Sequence, residues 1–172
     1  MVPIGGRKLT LDDFSSIIFR NKPVVLDRSA VEKVDTNYRF LQGFSANKLI
    51  YGINTGFGPM AQYKVSDENL LQLQYNLIRS HASGSGKLMT PQLVKALMVA
   101  RLSSLMQAYS GVHTEVVELL ADLINKEVYP CVFEHGGVGA SGDLVQLAHL
   151  ALVLIGEGEV FYQGTPEKKR RA

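Results

Sequence analysis

Cysteine is nearly missing from this chain. Cys131 stands alone among 172 residues, which excludes an internal disulfide and a cysteine-rich zinc site and fits a reducing compartment. Long apolar runs are missing too. The longest, "LAHLALVLIG" at 147–156, carries His149 and is too short to cross a bilayer. The opening "MVPIGGRKLT" has no apolar signal core. These absences predict a soluble, cytoplasmic protein with no membrane partner. Charge of one sign is scarce. The formal net charge is +2, and much of the excess sits in Lys168, Lys169, Arg170 and Arg171. A short basic end of this kind reads as a solvated tail, and the near-neutral body offers no electrostatic footprint for DNA or RNA. His113, His135 and His149 lack the i, i+4 spacing of a helical ligand pair, so no metal is expected and His149 reads as a core-edge histidine. Internal repeats and low-complexity tracts are absent.

The rest is an ordinary globular balance, 46% hydrophobic and 20% charged, in a length that suits one domain with a real core. Thr10 is placed to cap a helix over "LDDFSSIIFR", with Asp12 and Asp13 in its favourable first turn. "PVVLD" is a short extended candidate. A helix is predicted from about Ser29, with Val31, Val34, Tyr38 and Leu41 at helical spacing. Residues 45–64 are polar and glycine-rich, and helix is not expected there. From Asp67, "DENLLQLQYNLIRSHA" puts Leu70, Leu73, Leu77 and Ile78 on one stripe, and "SGSGK" breaks it. Thr90-Pro91 opens "PQLVKALMVARLSSLMQAY", apolar on more than one face and therefore buried; Gly111 ends it. "TEVVELLADLINKE" is a further amphipathic helix. Residues 128–139 read as a loop, and an apolar helix is predicted from Gly142 to near Gly156. The fold class is therefore mainly α, with a few short strands and two Gly-rich loops, at 51–58 and 136–142. Such loops on a rigid scaffold commonly carry function.

The second loop is the informative one. In "HGGVGASGDLVQLAH", Gly137, Gly139 and Gly142 make a G-x-G-x-x-G spacing, with Glu157 and Glu159 at a tolerable distance for a ribose partner. A dinucleotide site needs a strand before the glycines and a βαβ unit around them. Here Glu134 and His135 precede them and the neighbouring segments are helical, so nucleotide binding is disfavoured. A P-loop is excluded by the missing Gly-Lys-Ser/Thr ending. Two readings remain open. In one, Ser141 or Asp143 simply caps the next helix. In the other, the Gly142 nitrogen closes on the Ala140 carbonyl carbon, and loss of water, the Ser141 hydroxyl included, leaves a methylidene on a five-membered imidazolone ring. Gly142 leaves its nitrogen unobstructed, Ala140 keeps the closure uncrowded, and Asp143 is placed to help proton transfer. A helix start would stabilise negative charge flowing into such a ring. On the residues alone, Tyr51 reads as a packed loop aromatic or a base, and His81 as a surface or satisfied core group or a ligand contact.

"GGVGASGDLVQLAH", together with "YGINTGFGP", "NLIRSHASG", "SGVH" and "LALVLIGEGEVFYQG", covers nearly the whole chain in one order. It resembles the ammonia-lyase and aminomutase family that carries the 4-methylidene-imidazol-5-one group, MIO, with histidine and tyrosine ammonia-lyases as the nearest kind. The resemblance implies that Ala140, Ser141 and Gly142 form MIO, so that no external cofactor is needed. Tyr51 would remove the Cβ proton of the substrate, Ser80, His81 and Gly58 would bind the substrate, and Asp143 would follow the tripeptide as in the family. A free tyrosine ionises near pH ~10, so a base working near neutrality needs its phenolate favoured by about 4 kcal/mol, part of which loop amides and helix N-termini could supply. Val145-Gln146 departs from the family's common Ala-Pro and is expected to mark a subgroup. By the same resemblance, residues 1–172 are the N-terminal, MIO-bearing portion of a homotetrameric lyase whose helical bundle lies elsewhere, and this portion alone is expected to be inactive. The implied reaction is loss of ammonia from L-histidine, giving urocanate, or from L-tyrosine, giving p-coumarate. The alternatives are an aminomutase and a non-catalytic helical assembly module.

Overall fold

The computed structural model describes residues 1–138 and 144–162, and the backbone alone of residues 165–168. Among them are six α-helices: α1 (Leu11–Phe19), α2 (Arg28–Ser45), α3 (Asp67–His81), α4 (Pro91–Leu105), α5 (Thr114–Asn125) and α6 (Leu144–Leu154). Seven short strands accompany them: β1 (Val2–Ile4), β2 (Val24–Leu26), β3 (Ser85–Leu88), β4 (Tyr129–Pro130), β5 (Phe133–His135), β6 (Glu159–Tyr162) and β7 (Thr165–Lys168). No helix of the described residues is long and apolar enough to cross a membrane.

The helix starts follow local chemistry. Thr10 and Asp13 form a reciprocal capping box on α1, in which the Thr10 hydroxyl accepts from the Asp13 amide and the Asp13 carboxylate accepts from the Thr10 amide. Thr90 accepts from the Leu93 amide, with Pro91 in the first turn of α4. The start of α2 is one residue earlier than expected, because Asp27 rather than a later residue caps it. Three helix exits turn on residues other than glycine. Asn21 (φ 49°), Ala108 (φ 60°) and Glu127 (φ 54°) take left-handed backbone after α1, α4 and α5. Hence α4 stops at Leu105 and does not run to Tyr109.

Helix α4 is the axis of the core. Val94, Met98, Val99 and Leu102 have no measurable exposure, and α5 meets them with Val117 and Leu120, equally buried. Each such side chain contributes about 1.5–3 kcal/mol relative to an exposed one. Ile17 of α1, Val34 of α2 and Val132 complete the same cluster. Apolar residues on several faces of α4 are thus explained by neighbours on several sides.

The strands tie this cluster at its margins. β1 and β2 run parallel, Val2 opposite Val24. Asn125, at the end of α5, extends the pair: its carboxamide accepts from the Val24 amide at 2.8 Å and donates to the Val24 carbonyl at 3.0 Å. β4 pairs with β6, and β6 with β7, both antiparallel. β3 pairs antiparallel with β5, Ser85 opposite His135 and Leu88 opposite Phe133. The segment read as a loop at 128–139 therefore contains two strands. They are two and three residues long, and their partners lie far along the chain.

Candidate active site

Three separate stretches supply the residues singled out above. The first is the loop carrying Tyr51 and Gly58. Its organiser is Asn54, a buried side chain that the sequence reading passed over. Asn54 Oδ1 accepts from the Ile50 amide at 2.8 Å, and its Nδ2 donates to the carbonyls of Ser45 (3.0 Å) and Lys48 (2.7 Å). One amide group thereby satisfies three backbone groups that no helix or strand serves. Thr55 bridges to Lys64, and Gln74 of α3 donates to the Gly52 carbonyl at 3.4 Å, which holds the loop against α3. An asparagine within a Gly-rich, polar stretch is the only signal that could have pointed to this role. Tyr51 itself is 63% exposed, its ring edge-on to Phe57 at 5.8 Å between centroids. Gly58 is exposed, at the start of a single 3-10 turn, Gly58–Met60.

The second stretch is the end of α3. His81 Nδ1 lies 2.8 Å from the Leu77 carbonyl, so a proton on Nδ1 is donated there and Nε2 is left as an acceptor. The Ser80 hydroxyl donates to the same carbonyl at 3.1 Å. Helix α3 has no buried residue at all. Its orientation rests on its contact with α6 and on polar links at its C-terminal end. Arg79 makes a two-pronged ion pair with Glu157, Nε to Oε2 at 3.0 Å. Contact with that carboxylate raises the Arg79 pKa above its ordinary value. Just beyond His81, the Gly84 amide donates to Nε2 of His149 on α6 at 3.1 Å. His149 is half-buried, and burial lowers its pKa, favouring the neutral ring that can accept.

The third stretch is the approach to the Ala140-Ser141-Gly142 tripeptide. Ala140, Ser141, Gly142 and Asp143 lie outside the described residues, but both flanks are described. Strand β5 delivers Gly136, whose φ of 130° only glycine takes easily and whose added Cβ would stand 2.8 Å from Val145 Cγ1 on α6. The two ends of the intervening segment therefore touch. The same Cβ position lies 3.3 Å from the Gly84 Cα, so the backbone after His81, the backbone entering the tripeptide and the start of α6 meet at one place.

Beside this junction is a cavity of about 860 Å³, bounded by Leu97, Arg101, Glu134, His135, Gln146 and Leu147, among others. The Gln146 carboxamide oxygen is buried and has no hydrogen-bond partner among the described residues. Tyr51, Gly58, Ser80 and His81 do not line this cavity. The described residues thus join the end of α3 to the tripeptide's flanks while leaving Tyr51 open on its loop. Among the described residues no group of three or more His, Cys, Asp or Glu side chains is placed to hold a metal ion. Cys131 is buried, and burial raises its thiol pKa, which suits a structural thiol and not a nucleophile.

Comparison with known proteins matches residues 9–172 to a family model described as aromatic amino acid lyase. A histidine ammonia-lyase from Shouchella clausii is 45% identical over 165 residues, 95% of this chain and 33% of that protein. A tyrosine 2,3-aminomutase from Chondromyces crocatus is 42% identical over 166 residues, 96% of this chain and 31% of that protein. Among solved structures, a phenylalanine aminomutase from Pantoea agglomerans superposes with a TM-score of 0.91 at 30% identity, over 98% of this chain and 33% of that one. The chain spans about a third of the length of the curated relatives it matches.

Proposed function

Because this chain belongs to the aromatic amino acid lyase family, we propose that, within its complete polypeptide, it eliminates ammonia non-oxidatively from an aromatic L-amino acid, L-histidine or L-tyrosine. The family is MIO-dependent in general. The observation that carries the reading is the contact between Gly136 and Val145. It closes the segment containing Ala140, Ser141 and Gly142 at its ends, which suits a tripeptide that must bend to cyclise. The residues present therefore fit the group, which would supply the electrophile for the substrate.

The chain's own residues do the rest. Tyr51 takes the Cβ proton as the Cα–N bond breaks, and ammonia and an unsaturated acid leave. His81, with Nδ1–H engaged by the Leu77 carbonyl, offers Nε2 as an acceptor. An imidazole N–H or a phenol O–H can donate to it, so both substrates remain served by one residue. Ser80 and Gly58 help to bind the substrate, and Asp143 assists proton transfer at the tripeptide. Exposure of Tyr51, Met60, Tyr63 and Leu71 supports a site completed by other parts of a self-associating polypeptide, a homotetramer by family likeness. The lone Cys131 supports a cytoplasmic setting.

The test is Ser141→Ala in the complete polypeptide. Turnover to urocanate or p-coumarate, followed by absorbance, is expected to fall to background with the fold unchanged, and the intact mass of the parent is expected to be short by two waters. Retained turnover in the variant, or an active parent at its full encoded mass, overturns the reading. The resemblance to a tyrosine 2,3-aminomutase favours one second reading, re-addition of ammonia at Cβ; a β-amino acid among the products identifies it.

A further inference from the structure

We propose that His149 is a positioning residue for the substrate-reading pair Ser80–His81, holding the turn behind that pair onto α6 through its bond to the Gly84 amide. The inference rests on the function proposed above, and it concerns a residue that neither touches substrate nor belongs to the tripeptide.

The geometry is a clamp with two jaws. Ahead of Ser80–His81 stands Arg79, bound through two oxygens to Glu157, which follows α6. Behind the pair stands Gly84, bound to His149 within α6. One jaw closes on α6 itself and the other on the turn that follows it. Links of this kind matter here because no residue of α3 is fully buried; Leu77 and Ile78 are only half-buried on the side facing α6, and the polar links add to that packing in fixing the C-terminal turn. A shift of about an ångström in a substrate contact is costly to catalysis. Arg79 is also steadied over the Tyr75 ring at 5.1 Å.

The histidine jaw is the specific one. Phe133 flanks the ring at 5.4 Å and 58°, and Gly84 leaves room for it, since a Cβ there would stand 2.8 Å from Nε2 and 2.9 Å from the Phe133 Cβ. The Gly84 N–H can only donate, so Nε2 must be unprotonated and the ring proton sits on Nδ1. Strand pairing of Ser85 with His135 continues the same attachment into β5. The acceptor, the strand pair and the ion pair thus set the spacing between His81 and the chain entering residues 139–143.

The experiment compares His149→Phe, which keeps an aromatic ring and removes the acceptor, with His149→Gln, which returns one, in the complete polypeptide. His149→Phe is expected to lose about 10- to 100-fold in kcat/KM, the scale of a substrate contact misplaced by up to about an ångström. The loss should fall mainly on KM, and the preference over phenylalanine, whose ring has no polar hydrogen, should narrow. His149→Gln is expected to recover most of both, and all three proteins should show the same two-water mass deficit. Unchanged KM and preference in His149→Phe overturn the proposal, as does a loss that glutamine does not relieve or that tracks the mass deficit. If the parent itself shows neither turnover nor mass deficit, the functional reading fails instead. The clamp is then still decided by amide exchange at Gly84, expected slow in the parent and in His149→Gln and fast in His149→Phe; equal exchange in all three refutes it.

Discussion

Adding one methyl group at position 84 interrogates the crowded junction directly. In Gly84→Ala the new Cβ falls 2.8 Å from His149 Nε2, 2.9 Å from the Phe133 Cβ and 3.3 Å from the His135 carbonyl oxygen. Comfortable carbon contacts lie at about 3.5–4 Å, so the methyl overlaps its surroundings on two sides. Phe133 and His135 cannot yield cheaply, because β5 is held by its pairing with β3. The His149 ring and α6 must move, and the Gly84–His149 bond lengthens or breaks. Overpacking of this kind costs about 1–3 kcal/mol and a lost hydrogen bond about 1 kcal/mol. The stiffer unfolded chain returns about 0.4–1 kcal/mol. The net is a destabilisation of about 2 kcal/mol, which for a domain of this size lowers Tm by about 4–8 °C. Gly43→Ala is the matched control: it lies within α2 with nothing inside 4 Å of the added carbon, and should gain about 0.5–1 kcal/mol. Thermal and urea denaturation of the 172-residue chain, followed by far-ultraviolet circular dichroism, reads both. If Gly84→Ala melts with the parent, the junction is not tightly packed, and the attachment of α3 to α6 inferred from it is wrong.

Two pH effects follow from buried or heavily bonded groups. The Asp13 carboxylate accepts from the Arg7 guanidinium and then from the Thr10 amide and hydroxyl, which hold it well below the usual carboxylate range. Its folded pKa is below its unfolded one, so its stabilisation is present above the unfolded value and lost as pH falls towards the folded one; Asp13→Asn should flatten the acid limb of urea midpoints below about pH 5, and an unaltered limb contradicts this. Burial, followed by the charge of Glu127, pushes the Tyr129 phenol up to about 12. That stabilisation is intact below the unfolded value and fades as pH rises through the folded one. Ultraviolet titration should therefore show one tyrosine ionising late, and Tyr129→Phe should remove that phase; a late phase that persists in the variant assigns it elsewhere.

Much of the helical frame was legible because its causes are local. The Thr10–Asp13 box, the Thr90-Pro91 start and the all-round apolar surface of α4 each lie within one or two turns of chain. The strands were mostly not legible. β4 and β5 are two and three residues long, too short for a period-2 pattern, and β3 carries no apolar alternation. Lys95 was equally hidden. A lysine on a helix reads as solvated, yet it is 4% exposed, donating to Asn21 at 2.8 Å, with its pKa lowered by burial. Tyr51 and the Ser80–His81 pair could be picked out only by likeness to a family, since neither charge nor spacing distinguishes them.

Composition and local pattern by themselves determined that this chain is a helical domain with two Gly-rich loops, and that Ala140-Ser141-Gly142 has the small side chains that ring closure requires. Those properties depend on residues within a few positions of one another. Only the tertiary structure decided that the end of α3, strand β5 and the start of α6 converge, with Gly84, Gly136, Val145 and His149 in one packed knot. Contacts between residues far apart in the chain depend on how whole helices stack, and that is set by the shape of the entire core and by no single motif.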